Sequence, residues 1–181
     1  MMGKTLNPEA HAEQVLDDLG LDSVPVNVER VGKLRGAKVR YSPFDEELSG
    51  MIHIKEGMPI ILVNSLHHPN RQRFTIAHEV GHLELHRDMI TAEVHVDKSF
   101  AIDFRSLRRD QQSGLGTVEV EIQANRFGAA LLMPARILEA ELEGKQFDID
   151  DEAPLERIAR KFKVSKQALE YRIRNLGLTA G

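Results

Sequence analysis

The chain has 181 residues, 41% of them apolar, no cysteine and a formal net charge of −4. That length suits one domain, or one domain with a small appendage, and is enough to bury a proper core. The composition excludes a disulfide framework and leaves His, Asp and Glu as the only ligands for a metal, and no apolar run approaches the roughly 18 residues of a membrane span. The net charge carries no global nucleic-acid signature. Met1 to Pro8 lacks the apolar stretch of a secretory signal, so a cytoplasmic protein is expected.

Taken in chain order, Pro8 to Leu19 reads as a first helix ended by Gly20. Val28 to Leu34 is helix-like and Ala37 to Tyr41 is strand-like. Met51 to Ile54 and Ile60 to Val63 are apolar runs joined through Lys55-Glu56-Gly57, a hairpin pattern. Asn64 to Asn70 reads as a loop, and a helix follows from Arg71 to Leu85. Residues 87–116 are mixed and punctuated by glycine, so they read as mostly irregular. Residues 118–132 return to helical spacing, Met133-Pro134 breaks that helix, and Ala135 to Leu142 forms a short one. A hairpin followed by helices is an α+β order. The strand before the Arg71 helix is expected to be placed to accept an extended peptide by strand addition.

Residues 139–152 carry seven carboxylates against Lys145, whereas 156–174 carry seven cations against Glu156 and Glu170. That reversal near Pro154 marks a boundary, dividing a main unit, 1–145, from a C-terminal segment, 153–181. Leu155, Ile158, Ala159 and Phe162 share one helical face. Ser165 is then placed to cap a second helix carrying Ala168, Leu169, Ile173 and Leu176, which Gly177 ends. Helix, short turn and capped helix make a helix-turn-helix-like pattern whose second helix suits a DNA groove. The plainer reading is an amphipathic pair packed on the main unit with its Lys and Arg in solvent.

The most informative string is His78-Glu79-Val-Gly-His82, the H-E-x-x-H pattern. Side chains four apart on a helix stand one turn apart on one face, so both imidazoles can reach one Zn²⁺ at about 2.0–2.1 Å. Glu79 lies about 100° round the helix, poorly placed as a third ligand but placed to act as general base toward a water. Phe74, Ala77, Val80 and Leu83 flank the string at helical spacing, which argues a buried helix, and Gly81 suggests close approach of another backbone.

A catalytic zinc usually takes three protein ligands. His86, His95, Asp103, Asp110, Glu119 and Glu121 are the candidates for the third. His86 is eight residues beyond His78, which on a helix is about 12 Å along and 80° round, so it reads instead as a helix-end residue meeting free carbonyls. Glu121 is the stronger choice. It lies on the second helix, and Asn125, one turn later, is placed to orient a histidine ring. The plainer reading of Glu121 is a solvated surface carboxylate.

The run Phe74-Thr-Ile-Ala-His-Glu-Val-Gly-His-Leu-Glu-Leu-His86, followed by Glu121-Ile-Gln-Ala-Asn-Arg-Phe-Gly-Ala-Ala-Leu-Leu-Met-Pro134, closely resembles the ImmA/IrrE family of zinc metallopeptidases. Ile61 to Asn64, Arg73 before the helix, and Arg109-Asp110 are similar to further pieces of it. The likeness covers roughly residues 10–140. It implies a zincin-like fold, a small β-sheet packed on the H-E-x-x-H helix, and a gluzincin-like site with His78, His82 and Glu121 as zinc ligands and Glu79 as base; Mn²⁺ or Fe²⁺ also suit such ligands. Gly128 stands where the family usually has Ala, a departure expected to alter packing and leave the chemistry. Tyr41, His53, His95 and Arg105 are candidates to stabilise an oxyanion. The resemblance also implies a protein substrate, a helix-turn-helix repressor of the XRE type, cleaved to control stress-response or mobile-element genes. The competing expectation is a regulatory interaction protein, a toxin–antitoxin-like partner or a DNA-binding regulator acting through 155–178, with a non-catalytic metal site.

Overall fold

The computed structural model describes residues 7–90, 95–97, 114–144 and 153–178. Helix α1 spans Pro8–Asp18. Asn7 caps it by accepting from the amides of Glu9 and Ala10, and Pro8 occupies the first turn, where no amide is needed. Ala12, Val15 and Leu16 are its buried face. Helix α2, Val28–Leu34, is capped by Asn27 and leads into strand β1, Lys38–Ser42. Strands β2, Gly50–Lys55, and β3, Met58–Asn64, form the expected hairpin. Its two-residue turn puts Glu56 at φ 52° and Gly57 at φ 78°, the left-handed pair that matches strand twist.

Helix α3 spans Pro69–Leu85, beginning two residues before its expected start because His68 Nδ1 accepts from the Asn70 amide and Pro69 fits the first turn. Then follow the short helix α4, Arg87–Ile90, strand β4, His95–Asp97, helix α5, Gly114–Leu132, and helix α6, Ala135–Leu142. The expectation of a mostly irregular 87–116 therefore fails over these pieces. β4 is held by its pairing with β2 (Gly50 opposite Asp97, Ile52 opposite His95), a long-range contact that three residues do not announce locally. The remainder of 87–116 lies outside the described residues.

The sheet order is β1-β3-β2-β4, with β1 parallel to β3 and the other pairs antiparallel. This corrects the strand-addition expectation. β3, the strand before α3, is hydrogen-bonded on both sides and offers no edge; among the described residues the edges are β1 and β4.

α3 packs against β2 and β3 and against α5. Every residue from Thr75 to Leu83 is buried, the state of a helix inside a core. Its last turn is fastened by Glu84, which accepts from Arg35 through Nε at 2.6 Å and Nη2 at 2.7 Å and lies 3.1 Å from His11 Nε2. This bidentate geometry is the strong form of the pair.

Helices α7, Ala153–Phe162, and α8, Lys166–Asn175, follow. Ser165 caps α8, as its position predicts, with Oγ accepting from Ala168 N at 3.1 Å. Ile158, Ala159, Phe162, Val164 and Leu169 belong to the same buried apolar cluster as the residues of α3 and α5. Arg172 of α8 is only 2% exposed; its Nε donates to the Met133 carbonyl at 3.2 Å and its Nη1 to Glu9 of α1.

Candidate metal centre

His78 and His82 project from one face of α3, their rings edge to face with centroids 4.6 Å apart and their Nε2 atoms 2.9 Å apart. Both are 1% exposed. Glu121, from α5, closes the group: Oε2 lies 3.2 Å from His78 Nε2, and Oε1 lies 3.3 Å from His82 Nε2. Among the described residues these three form a group able to hold a metal ion, with one ligand atom from each within 4.8 Å of the others.

The donor chemistry fits a cation. The amide oxygen of Asn125 can only accept, so His78 Nδ1, at 2.9 Å from it, is the protonated nitrogen. His78 Nε2 then presents a lone pair toward the Glu121 carboxylate. A lone pair facing a carboxylate repels it unless positive charge lies between them, on a proton or on a metal. Burial by itself would raise the Glu121 carboxyl. When protons occupy the facing Nε2 atoms, the hydrogen bonds from His78 and His82, reinforced by their charge, outweigh it and hold the group well below the usual carboxylate range. The outer contact is the kind that fixes a ligating imidazole's tautomer and ring orientation.

Glu79, 1% exposed, belongs to α3 but turns toward the sheet. A Cβ built on Gly50 of β2 would lie 3.8 Å from Glu79 Oε1. That same Cβ would lie 2.4 Å from Thr75 Cγ2 and 2.7 Å from the Leu62 carbonyl, so only glycine lets β2 run this close to α3. Two more glycines set the α3–α5 spacing. A Cβ on Gly81 would meet the Ala124 carbonyl at 3.1 Å and Phe127 at 3.2 Å, and one on Gly128 would meet His78 N at 3.1 Å. Gly81 thus permits the close approach its place in the motif suggested. Gly128, read as a packing departure, touches the backbone of His78 itself.

The other candidates fall elsewhere. His86 ends α3, with Nε2 2.9 Å from Gln123 Oε1 on α5. Gln123 in turn donates to Glu119, which is exposed. This Glu119–Gln123–His86 chain went unread in the sequence, although the i,i+4 spacing of Glu119 and Gln123 was a signal for half of it. Tyr41 donates its hydroxyl to Glu29 of α2. Alternation along β2 puts His53 on the face opposite Gly50 and Ile52, away from α3. His95 is a β4 position; Arg105, Asp103 and Asp110 lie outside the described residues, as does Arg109.

Comparison with known proteins places the chain in a family. The family of the IrrE N-terminal-like domain matches residues 33–174. The radiation response metalloprotease IrrE of Deinococcus radiodurans is 33% identical over 113 residues, which are 62% of this chain and 30% of that protein. The chain thus spans under a third of that relative's length. A Mycobacterium tuberculosis transcriptional regulator of known structure superposes with a TM-score of 0.64 at 16% identity, over 93% of this chain and 55% of the other, a likeness of fold. Among the described residues no helix is long and apolar enough to cross a membrane. With a match that runs from α2 through both motif helices into α8, the chain belongs to the ImmA/IrrE family of metallopeptidases.

Proposed function

We propose that the chain is a zinc-dependent endopeptidase of narrow specificity, with His78, His82 and Glu121 as ligands and Glu79 as general base. The convergence of two imidazole Nε2 atoms and one carboxylate, with a second acidic group, Glu79, turned aside toward β2, carries this reading. Bound zinc supplies Lewis acidity, polarising a carbonyl and making water a stronger acid; Mn²⁺ or Fe²⁺ suits the same donors. Asn125 keeps His78 in the tautomer that offers Nε2. Glu79 accepts a proton from the attacking water and returns it to the leaving amine. The α3–α5 packing excludes water from behind the site.

The substrate we infer is a repressor of the XRE helix-turn-helix type in the cytoplasm, cleaved to release stress-response or mobile-element genes. The name of the Deinococcus relative, a radiation response metalloprotease, supports the stress setting. Purified, zinc-loaded protein is expected to cut a repressor encoded beside it. Glu79→Gln is expected to keep the metal and lose about 10²-fold or more of the cleavage rate. Cleavage at the parental rate by the Gln protein would remove the mechanism.

A second reading, DNA contact through 155–178, rests on the exposed cations Arg157, Arg160, Lys163 and Arg174. The segment 153–181 would then be a functional unit attached to a peptidase unit, 1–145. Binding to duplex DNA that weakens steeply with salt and is lost in Arg157→Glu/Arg160→Glu supports it, and no binding at low salt removes it.

A further inference from the structure

A cavity of about 380 Å³ lies away from the metal ligands, bounded by α2, α3 and the turn between α7 and α8. Its apolar wall is Pro25, Val28 and Ile76, and its polar groups are Asn27, Glu29, Arg73 and Lys163. The volume falls in the range of small-molecule sites, and the lining is more polar than apolar.

The charges in it are unevenly satisfied. Glu29 already accepts from the Tyr41 hydroxyl. Asn27 Oδ1 accepts from the Arg30 amide as the cap of α2. Arg73 has no carboxylate partner among the described residues. Its Nε donates to the Lys163 carbonyl at 3.3 Å, and its Nη2 is buried without an acceptor. Burial lowers the Arg73 pKa from its ordinary value, the mark of a guanidinium held out of water. Lys163, exposed, stands at φ 53° at the end of α7, a left-handed position ordinarily given to glycine. The turn thereby brings Lys163 to the rim of the same cavity, where its carbonyl accepts from Arg73. Arg73 thus shares the cavity with one carboxylate that is already engaged, and a buried guanidinium nitrogen left without an acceptor is costly.

We propose that this cavity binds a small organic carboxylate, its carboxylate meeting Arg73 and Lys163 and its hydrocarbon part lying against Pro25, Val28 and Ile76. A carboxylate fits better than phosphate because Pro25, Val28 and Ile76 offer a wall to the hydrocarbon part that phosphate lacks. The ligand would bridge α3, five residues before His78, to the α7–α8 turn, and so clamp the C-terminal helices onto the helix that carries the metal ligands. The inference does not depend on peptidase activity, because every readout is binding.

The test uses the full chain and four probes, benzoate, phenylacetate, hexanoate and glutarate, at millimolar concentration, followed by calorimetry and hydrogen exchange. At least one is expected to bind and to slow exchange at residues 160–166. Arg73→Gln is expected to weaken that binding by about tenfold or more. Lys163→Gly is expected to weaken it severalfold while keeping the fold, since glycine suits the local φ. Any of three results overturns the proposal. They are no binding by all four probes, equal binding by the Lys163→Gly protein, and inorganic phosphate binding as tightly as the best carboxylate.

Discussion

Under the proposed function, Asn125 and Glu79 separate what would hold a metal from what would use it. Asn125 accepts from His78 Nδ1. Asn125→Ala is therefore expected to lower zinc affinity by about 10- to 100-fold, measured by competition with a chelating dye, with the fold intact by circular dichroism. Glu79→Gln should leave that affinity unchanged. Tyr41 gives a different residue-scale expectation. Burial, and then its bond to Glu29, raise its pKa, so the folded state favours the neutral phenol. The stability it contributes is complete below the unfolded value of about 10 and is lost as pH rises toward the folded value. Denaturant titrations above about pH 10 should show a shallower alkaline loss in Tyr41→Phe than in the parent; parallel losses would discard the Tyr41–Glu29 account.

Two helices and one strand meet at contact distances that side chains would prevent. Gly50→Ala places its Cβ 2.4 Å from Thr75 Cγ2 and against the Leu62 carbonyl. It is expected to cost about 1–3 kcal/mol and to displace Glu79, read together as a lower unfolding midpoint and lower activity with zinc retained. Gly81→Ala gains about 1 kcal/mol of helix propensity and meets the backbone of Ala124 and the ring of Phe127. The expected net effect is a loss, because neither neighbour can turn away, and chemical denaturation of the two proteins decides its sign. These elements also mark how far the sequence could be read. α3 and α5 were legible because their apolar residues recur at helical spacing and His78, His82, Glu121 and Asn125 each lie one turn from a functional neighbour. The glycine within the H-E-x-x-H motif signalled close approach in the same local way. β4 was not legible, since three residues become a strand only when β2 is beside them. Nor was the place of β3 at the sheet's interior, which depends on β1 returning parallel to it from 22 residues away in register (Lys38 opposite Ile60). The partner of His86 lies 37 residues along the chain and on another helix, beyond any periodicity.

For the molecule as a whole, the C-terminal pair is bound into the common core and not laid on its surface. Arg172 is the clearest instance, with the Met133 carbonyl and Glu9 as partners and almost no exposure. Arg172→Ala is expected to destabilise the chain by about 2–3 kcal/mol, below the full cost of stripping a buried ion pair because Glu9 keeps access to water. Hydrogen exchange should show α8 and the start of α1 loosening together; loosening of α8 alone would mean that the ion pair does not couple them. Metal removal by a chelator is expected to lower the unfolding temperature in a zinc-dependent way, since a ligand held only by the folded state stabilises it. The Arg172–Glu9 bond joins residues 163 apart in sequence. During synthesis α1 leaves the ribosome long before α8 exists, so this one of its fastenings forms only after the His11–Glu84 contact and the packing of α1 on α5 are available. A nascent fragment carrying the complete His78–His82–Glu121 set is thus still missing one of its fastenings until α8 emerges.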